Sequence, residues 1–283
     1  MKKIAVIGIC GYSVFLKGGT IPKKNESQVF KTLHTEAGGK GVNAAAALSK
    51  LGKNVSFLTS LGDDENAAEC LKFLKAYGIY ENAIIKKGAK TDYGVILVDN
   101  DGGNCVSLYT GASAKTSAAD VENFRKEIEE SDYLLMQAEL PNEVLLKAAD
   151  VAAACGTKIV FDPSPVRALP RKFLEKVWLF TPNETEVDGL CNGFTPENYV
   201  VTLGEKGAVV FENGKKTEVK AIKVKARNTT GAGDVFNAAL IFALSDGNSL
   251  LKAVEFAVKA AAFKVRSEYV TDGFPSLKDI QNL

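Results

Sequence analysis

Short apolar runs alternate with helix-forming stretches along most of this 283-residue chain, and that rhythm is what most narrows the folds open to it. Strand-like runs stand at 4–8, 54–60, 133–137, 158–161, 177–180 and 199–203, and helical segments at 41–51, 65–77, 143–154, 235–244 and 250–265. Gly52 is placed to stop the Ala-rich helix before it. The last two helices are apolar nearly all round, as helices packed into a large core are. Repeated βα alternation with short apolar strands predicts an α/β fold, a three-layer αβα sandwich around a mainly parallel sheet.

Two regions break the rhythm. Residues 12–33 and 91–110 look like extended strands with turns, and Asp99-Asn100-Asp101-Gly102-Gly103 is a strong hairpin signal. We read them as a small β-sheet lid beside the main sheet, the plainer alternative being ordinary surface hairpins. Neither an internal repeat nor a Pro/Gly/Ser linker divides the chain, so residues 1–283 are expected to form one domain with this lid. Met1-Lys2-Lys3 and the uncharged run after it mimic a signal peptide, but Gly8 and Gly11 interrupt the run and no cleavage pattern follows. With no stretch near the roughly 20 apolar residues of a membrane span, the expected compartment is the cytoplasm, with no membrane partner.

The 35 basic and 34 acidic residues leave a net charge of +1, which gives no reason to expect a nucleic-acid groove. The five cysteines, Cys10, Cys70, Cys105, Cys155 and Cys191, form no CxxC pair for zinc or redox exchange and are expected to be buried thiols. His34 is the sole histidine, which leaves no HExxH zinc site and at most one residue for a nucleophile-histidine triad. An ordinary packing role in the lid is expected for it.

Four glycine-bearing or proline-bearing turns carry the chemistry. Asn228-Thr229-Thr230-Gly231-Ala232-Gly233-Asp234 runs straight into an apolar helix. Gly231 and Gly233 allow close backbone approach, and the free amides of a helix's first turn collect around an anion. Asp234 at the rim would accept a proton from a hydroxyl attacking a phosphoryl group there; taken alone, the segment reads equally as a capped turn. Gly38-Gly39-Lys40-Gly41 opens the Ala-rich helix with Asn43 on its first turn, where one cation and one amide could grip polyol hydroxyls or merely begin a helix. Thr181-Pro182-Asn183-Glu184-Thr185-Glu186 ends a strand, and Asn183 and Glu186, three apart, could hold a hydrated Mg2+ or form a simple acidic helix start. Thr202-Leu203-Gly204-Glu205-Lys206-Gly207 suits backbone passage near a nucleotide or a plain hairpin. Neither GxxxxGK[ST] nor a GxGxxG between strand and helix is present, so a kinase here would use another phosphate cradle.

Taken in order, GGKGVN, TPNETE, TLGEKG and NTTGAGD resemble the signature set of the ribokinase-like family of sugar and nucleoside kinases, also called the phosphofructokinase-B family, over nearly the whole chain. Gln137-Ala138-Glu139 after one strand and Asp162-Pro163-Ser164-Pro165 after the next add to the likeness. The resemblance implies a ribokinase-like fold and an ATP- and Mg2+-dependent kinase acting on a primary hydroxyl of a carbohydrate. Asp234 would be the general base, with Gly231, Ala232 and Gly233 lending the anion hole. Gly38, Gly39, Lys40, Asn43 and Glu139 would face the sugar. Asn183, Thr202, Gly204 and Gly207 would border ATP, and Glu186 would hold Mg2+ through water. The lid would cover the sugar and support a homodimer. A nucleoside kinase of the same family, or a non-catalytic sugar- or nucleotide-binding regulator, are the alternative readings; an intact Asp234 and both cradles argue against the latter.

The chain also departs from the pattern. Gly11-Tyr12-Ser13 stands where sugar kinases of the family usually carry Asn-x-Asp, and Ser13 cannot accept hydrogen bonds from two adjacent hydroxyls as a carboxylate does. Gly11 and Ser13 therefore still line the expected sugar pocket, while ribose itself is in doubt. Asn228 replaces an Asp, and Ser267-Glu268-Tyr269-Val270 replaces an Arg-x-Gly-Ala-like segment of the monovalent-cation loop, so a monovalent-cation cofactor is doubtful. Exchanging K+ for a bulky organic cation is expected to leave most of the turnover in place.

Overall fold

Ile4 and Val6 lie on one face of the first strand, Ala5 and Ile7 on the other, and all four are fully buried in two separate apolar clusters. A strand dry on both faces belongs inside a sheet covered by helices on both sides. The computed structural model describes residues 3–100, 103–190, 194 and 196–283. In chain order its first strands are β1 (Lys3–Ile7), β2 (Gly11–Gly19), β3 (Thr32–Gly38), β4 (Asn54–Leu61), β5 (Ala83–Ile85), β6 (Asp92–Asp99) and β7 (Asn104–Tyr109). They are followed by β8 (Ser131–Gln137), β9 (Lys158–Asp162), β10 (Leu179–Phe180), β11 (Tyr199–Thr202), β12 (Gly207–Glu212) and β13 (Lys215–Lys220). The helices are α1 (Lys40–Lys50), α2 (Glu65–Ala76), α3 (Ala118–Asn123), α4 (Arg125–Glu129) and α5 (Asn142–Cys155). The remainder are α6 (Arg171–Leu174), α7 (Glu184–Leu190), α8 (Ala232–Ser245), α9 (Leu250–Lys264) and α10 (Leu277–Gln281).

The main sheet has the order β13-β12-β11-β10-β9-β8-β1-β4-β5 and is parallel from β11 to β5. One apolar cluster joins Val6, Phe57 and Leu135 to α1, α2, α8 and α9; the other joins Ile7, Met136 and Phe161 to α3, α4 and α5. These are the three layers that the alternation of the sequence predicts. Among the described residues no helix is long and apolar enough to cross a membrane.

The structure differs from the sequence reading in four places. The stretch 12–33 is not strand throughout: β2 stops at Gly19 and β3 starts at Thr32. Pro22 lacks an amide donor and Asn25 turns at φ 70°, so neither sustains a ladder between them. The lid is a four-stranded sheet ordered β3-β2-β6-β7, with β3 running on to Gly38. The β6–β7 hairpin is closed by Asp99 N–H on Gly103 O at 2.9 Å and Gly103 N–H on Asp99 Oδ1 at 2.7 Å; Asp101 and Gly102 lie outside the described residues. β10 holds two residues rather than the four expected at 177–180. The β12–β13 hairpin, an antiparallel extension of the sheet, turns on Asn213 and Gly214 at φ 50° and 74°, an Asn-Gly signal that the strand-helix rhythm does not contain. Cys10 and Cys70 are buried as expected, but Cys105 and Cys155 are exposed because one sits on the edge strand β7 and the other at the end of α5; Cys191 lies outside the described residues.

The start of α1 is fixed by close backbone contact. Val42 N–H donates to Ile9 O at 3.1 Å, and a Cβ on Gly41 would stand 2.7 Å from Gly8 Cα. Gly39 takes φ 122°, where a Cβ would meet Ile9 O at 2.9 Å. Helix and strand end can meet this closely because neither carries a side chain there. Gly41→Ala is expected to cost about 1–3 kcal/mol of stability, the scale of overpacking, read as a lower denaturation midpoint at unchanged m-value.

Candidate active site

Ligands of open parallel sheets settle in the crevice beyond the carboxyl ends of the strands. Here Gln137 closes β8 with Glu139 two residues on, Asp162 closes β9, and Asn183 follows β10. The helix starts of α1 and α8 bring Lys40, Asn43 and Asp234 to the same place. Lys40 Nζ lies 3.9 Å from Asp234 Oδ1 and 3.8 Å from Asp162 Oδ2. Asn43 Nδ2 donates to Asp234 Oδ2 at 2.7 Å, and Asn237 Nδ2 to Asp162 Oδ2 at 3.4 Å.

The balance of charge is uneven. Burial pushes Glu139 up to about 8 and Asp162 up to about 7, partly offset by Lys40. Burial likewise raises the Asp234 carboxyl, against the pull of Lys40 and the Asn43 hydrogen bond. Burial alone would lower Lys40, yet the carboxyl groups of Asp234, Asp162, Glu139 and Glu186 hold its ammonium above the ordinary lysine value. Among the described residues, Glu139 Oε2, Asn43 Oδ1, Gln137 Oε1 and Asn237 Oδ1 are buried without a hydrogen-bond partner. Unpartnered polar atoms converging on one crevice suit a polar ligand.

The first turn of α8 borders this crevice. Gly231 caps the helix at φ 77°, and a Cβ there would stand 2.7 Å from Val270 Cγ1. Ala232 N–H is engaged by Thr229 O at 3.1 Å, while Gly233 and Asp234 sit where a helix leaves its amides without intrahelical acceptors. A Cβ on Gly233 would meet nothing within 4 Å. Gly is unfavourable inside a helix by about 1 kcal/mol relative to Ala, so neither packing nor a positive φ accounts for it, and the open space beside it is what a cradle for a close-approaching anion requires.

Other sequence-predicted residues have structural work of their own. Asn183 precedes α7 instead of standing on its first turn. Its Oδ1 accepts from Glu186 N–H at 3.0 Å, and Glu186 answers through both carboxylate oxygens, to Asn183 N–H and Nδ2 at 2.9 Å each. This reciprocal cap explains the pair locally, while buried Glu186 still feeds the field at Lys40 and Asp162. Thr202 bridges to Asn183 and donates its N–H to Pro182 O at 2.9 Å. Gly204 turns at φ 55°, and Gly207 at φ 106° is demanded by Val219 O, which a Cβ would approach to 2.0 Å. Gly11 is likewise pressed on Asp92 O, and Ser13 Oγ lies 2.3 Å from where a Gly38 Cβ would stand.

The sequence reading did not assign Asp162, Gln137 or Asn237. Asp162 is an acid closing an apolar strand, and Asn237 lies one helical turn after Asp234, two signals that pattern alone could have supplied. Glu36 went unread because its partners are remote: it accepts from Val270 N–H and Thr271 N–H at 3.1 Å each and from Thr271 Oγ1 at 2.6 Å. His34 on β3 stacks on Tyr269, ring centroids 3.6 Å apart, a packing role as expected. A separate open cleft of about 850 Å3 near Asp64, Lys90, Thr91 and Tyr109 is lined by none of the predicted site residues.

The pfkB family carbohydrate kinase pattern matches residues 1–277. The chain belongs to that family. The ribokinase of Bacillus subtilis is 30% identical, covering 100% of this chain and 99% of its own. The crystal structure of Thermotoga maritima ribokinase superposes with a TM-score of 0.91 at 29% identity, covering 100% and 99% of the two chains. Arabidopsis thaliana ribokinase, solved in complex with ribose and ATP, superposes with a TM-score of 0.90 at 25% identity, over 100% and 98%. The three-layer fold and small separate sheet are thus those of ribokinases, and this pfkB carbohydrate kinase is an enzyme that phosphorylates an alcohol group.

Raised carboxyl pKa values bear on stability. Folded Glu139 and Asp162 keep protons that the unfolded chain releases, so their contribution is full below about pH 4 and is lost as pH rises through about 7 and 8. The Tm of the ligand-free protein is expected to fall between about pH 5 and 8.5, with Glu139→Gln removing part of that fall in a calorimetric series.

Proposed function

We propose that the chain is an ATP-dependent sugar kinase that moves the γ-phosphoryl group to a primary hydroxyl of a carbohydrate, working as one catalytic unit whose small sheet covers the acceptor. The observation that carries this reading is Asp234, buried at the start of α8 with Asn43 on one oxygen and Lys40 near the other, beside the open space at Gly233. In this reading Asp234 takes the proton of the attacking hydroxyl, and the backbone at Gly231, Ala232 and Gly233 receives the migrating group. Asn43 aims the carboxylate and Lys40 balances its charge. Catalysis then rests on positioning and preorganised charge.

On the acceptor side, Gly11, Ser13, Gly38, Gly39, Lys40, Asn43 and Glu139 would line the pocket. The unpartnered Glu139 Oε2 supports hydroxyl recognition there, and a carboxyl held to about 8 can donate as well as accept. Gly11 and Ser13 offer no carboxylate, which favours an acceptor other than ribose. Asn183, Thr202, Gly204 and Gly207 would flank the nucleotide. Among the described residues no three His, Cys, Asp or Glu groups form a direct metal cage, a donor set that fits Mg2+ carried by phosphates and water, with Glu186 reaching it through water. A bound Mg2+ would neutralise phosphate charge. The reading places the enzyme in the cytoplasm. Leu33 and Leu108, each 68% exposed on β3 and β7, support a homodimer through the lid.

An ATP-consumption screen over pentoses, hexoses, sugar phosphates and nucleosides tests the reading. At least one sugar is expected to turn over, with Asp234→Asn lowering kcat on the order of 10²-fold at little change in nucleotide affinity or Tm. Equal turnover by Asp234→Asn would remove its assigned role.

A further inference from the structure

Lys264 is the last residue of α9 and has 0% exposure, the one buried lysine or arginine among the described residues. The helix that carries it otherwise buries Ala253, Val254, Ala257 and Ala260, so an apolar residue of the same length would suit the packing. Burying an ammonium is costly unless charge and hydrogen bonds compensate it, and apolar replacements of buried ions are often neutral or stabilising. Core packing therefore gives no reason for this lysine.

Its surroundings do. Lys264 Nζ donates to Asn228 O at 3.3 Å, the carbonyl that opens the segment leading to Asp234. The same segment is pinned to the exit of α9 by Asn228 N–H on Val265 O at 3.2 Å and Asn228 Nδ2 on Glu268 O at 2.9 Å. Asn228 Oδ1 in turn accepts from Thr230 N–H at 2.9 Å, one residue before the Gly231 cap. The charges acting on the ammonium come from Glu36 on β3, Asp234 on α8, Asp272 before α10 and Lys17 on β2.

We propose that Lys264 is a positioning residue for phosphoryl transfer, a chain-borne cation beneath the 228–234 loop that fixes the loop's first carbonyl and adds positive potential where the terminal phosphate of ATP is received. The assignment rests on the kinase reading above. It also gives a reason for little response to potassium, since the protein supplies a cation of its own beside the cradle.

Calorimetric binding of MgATP and MgADP isolates the terminal phosphate without needing a known sugar. Lys264→Met is expected to weaken MgATP on the order of tenfold, the scale of one charge-assisted contact, while MgADP stays within about twofold. In Lys264→Ala, ammonium chloride is expected to restore the MgATP affinity where tetramethylammonium chloride at equal ionic strength does not. Equal losses for both nucleotides, no loss, or no rescue overturn the assignment and leave the kinase reading intact. Failure of the unaltered protein to bind either nucleotide takes down both.

A second arm does not depend on a neutral variant folding. Burial holds Lys264 down to about 8, against the raising influence of Glu36, Asp234 and Asp272. The ammonium is charged below that pH, so the preference for MgATP over MgADP is expected to decline above about pH 8 in the unaltered protein. Lys264→Arg, whose guanidinium stays charged, is expected to hold it flat. A decline that persists in Lys264→Arg belongs to another group and overturns the assignment.

Discussion

One ammonium, that of Lys40, stands among carboxyl groups that burial has removed from water, and the rest of the site follows from that crowding. Asp162, Asp234, Glu139 and Glu186 all act on it. Burial raises Glu139 and Asp162, the neighbouring carboxylates add to it and the single ammonium offsets only part, so both hold protons into the neutral range. The arrangement also dictates backbone. Lys40 can reach Asp162 and Asp234 because α1 begins against the end of β1, and α1 can begin there because Gly8 and Gly41 present no side chains to each other. An electrostatic centre and a steric coincidence are thus one feature.

The fold was legible in the sequence where its cause is local. Strand runs such as 54–60 and 133–137 and the helix at 250–265 bury mostly apolar residues, with polar exceptions that include Ser56, Thr59, Gln137 and Lys264, and periodicity reports the apolar majority directly. The lid was legible as a departure from rhythm, but its inner boundaries were not, because Pro22 and Asn25 act against a ladder whose partner strands lie elsewhere in the chain. The β12–β13 hairpin carries its turn signal in Asn213-Gly214, a local signal that hydrophobic periodicity does not report.

At the site, the sequence brought forward Lys40, Asn43 and Asp234, which the fold sets in contact from positions nearly two hundred residues apart. The glycine clusters separate once neighbours are known: Gly41 and Gly207 are demanded by adjacent backbone, whereas Gly233 faces open space. Glu36 and Lys264 could not be read, since each looks ordinary beside its chain neighbours and acquires meaning through groups more than thirty residues away.

Glu36 deserves a mechanical reading. Its carboxylate belongs to a strand of the small sheet yet grips two amides and a hydroxyl in the turn that follows α9, where His34 and Lys17 also lean on the ring of Tyr269. That turn is laced to Asn228 in its own right. Cover and floor are consequently tied together at that turn: there the small sheet cannot lift away without dragging the footing of Asp234 along.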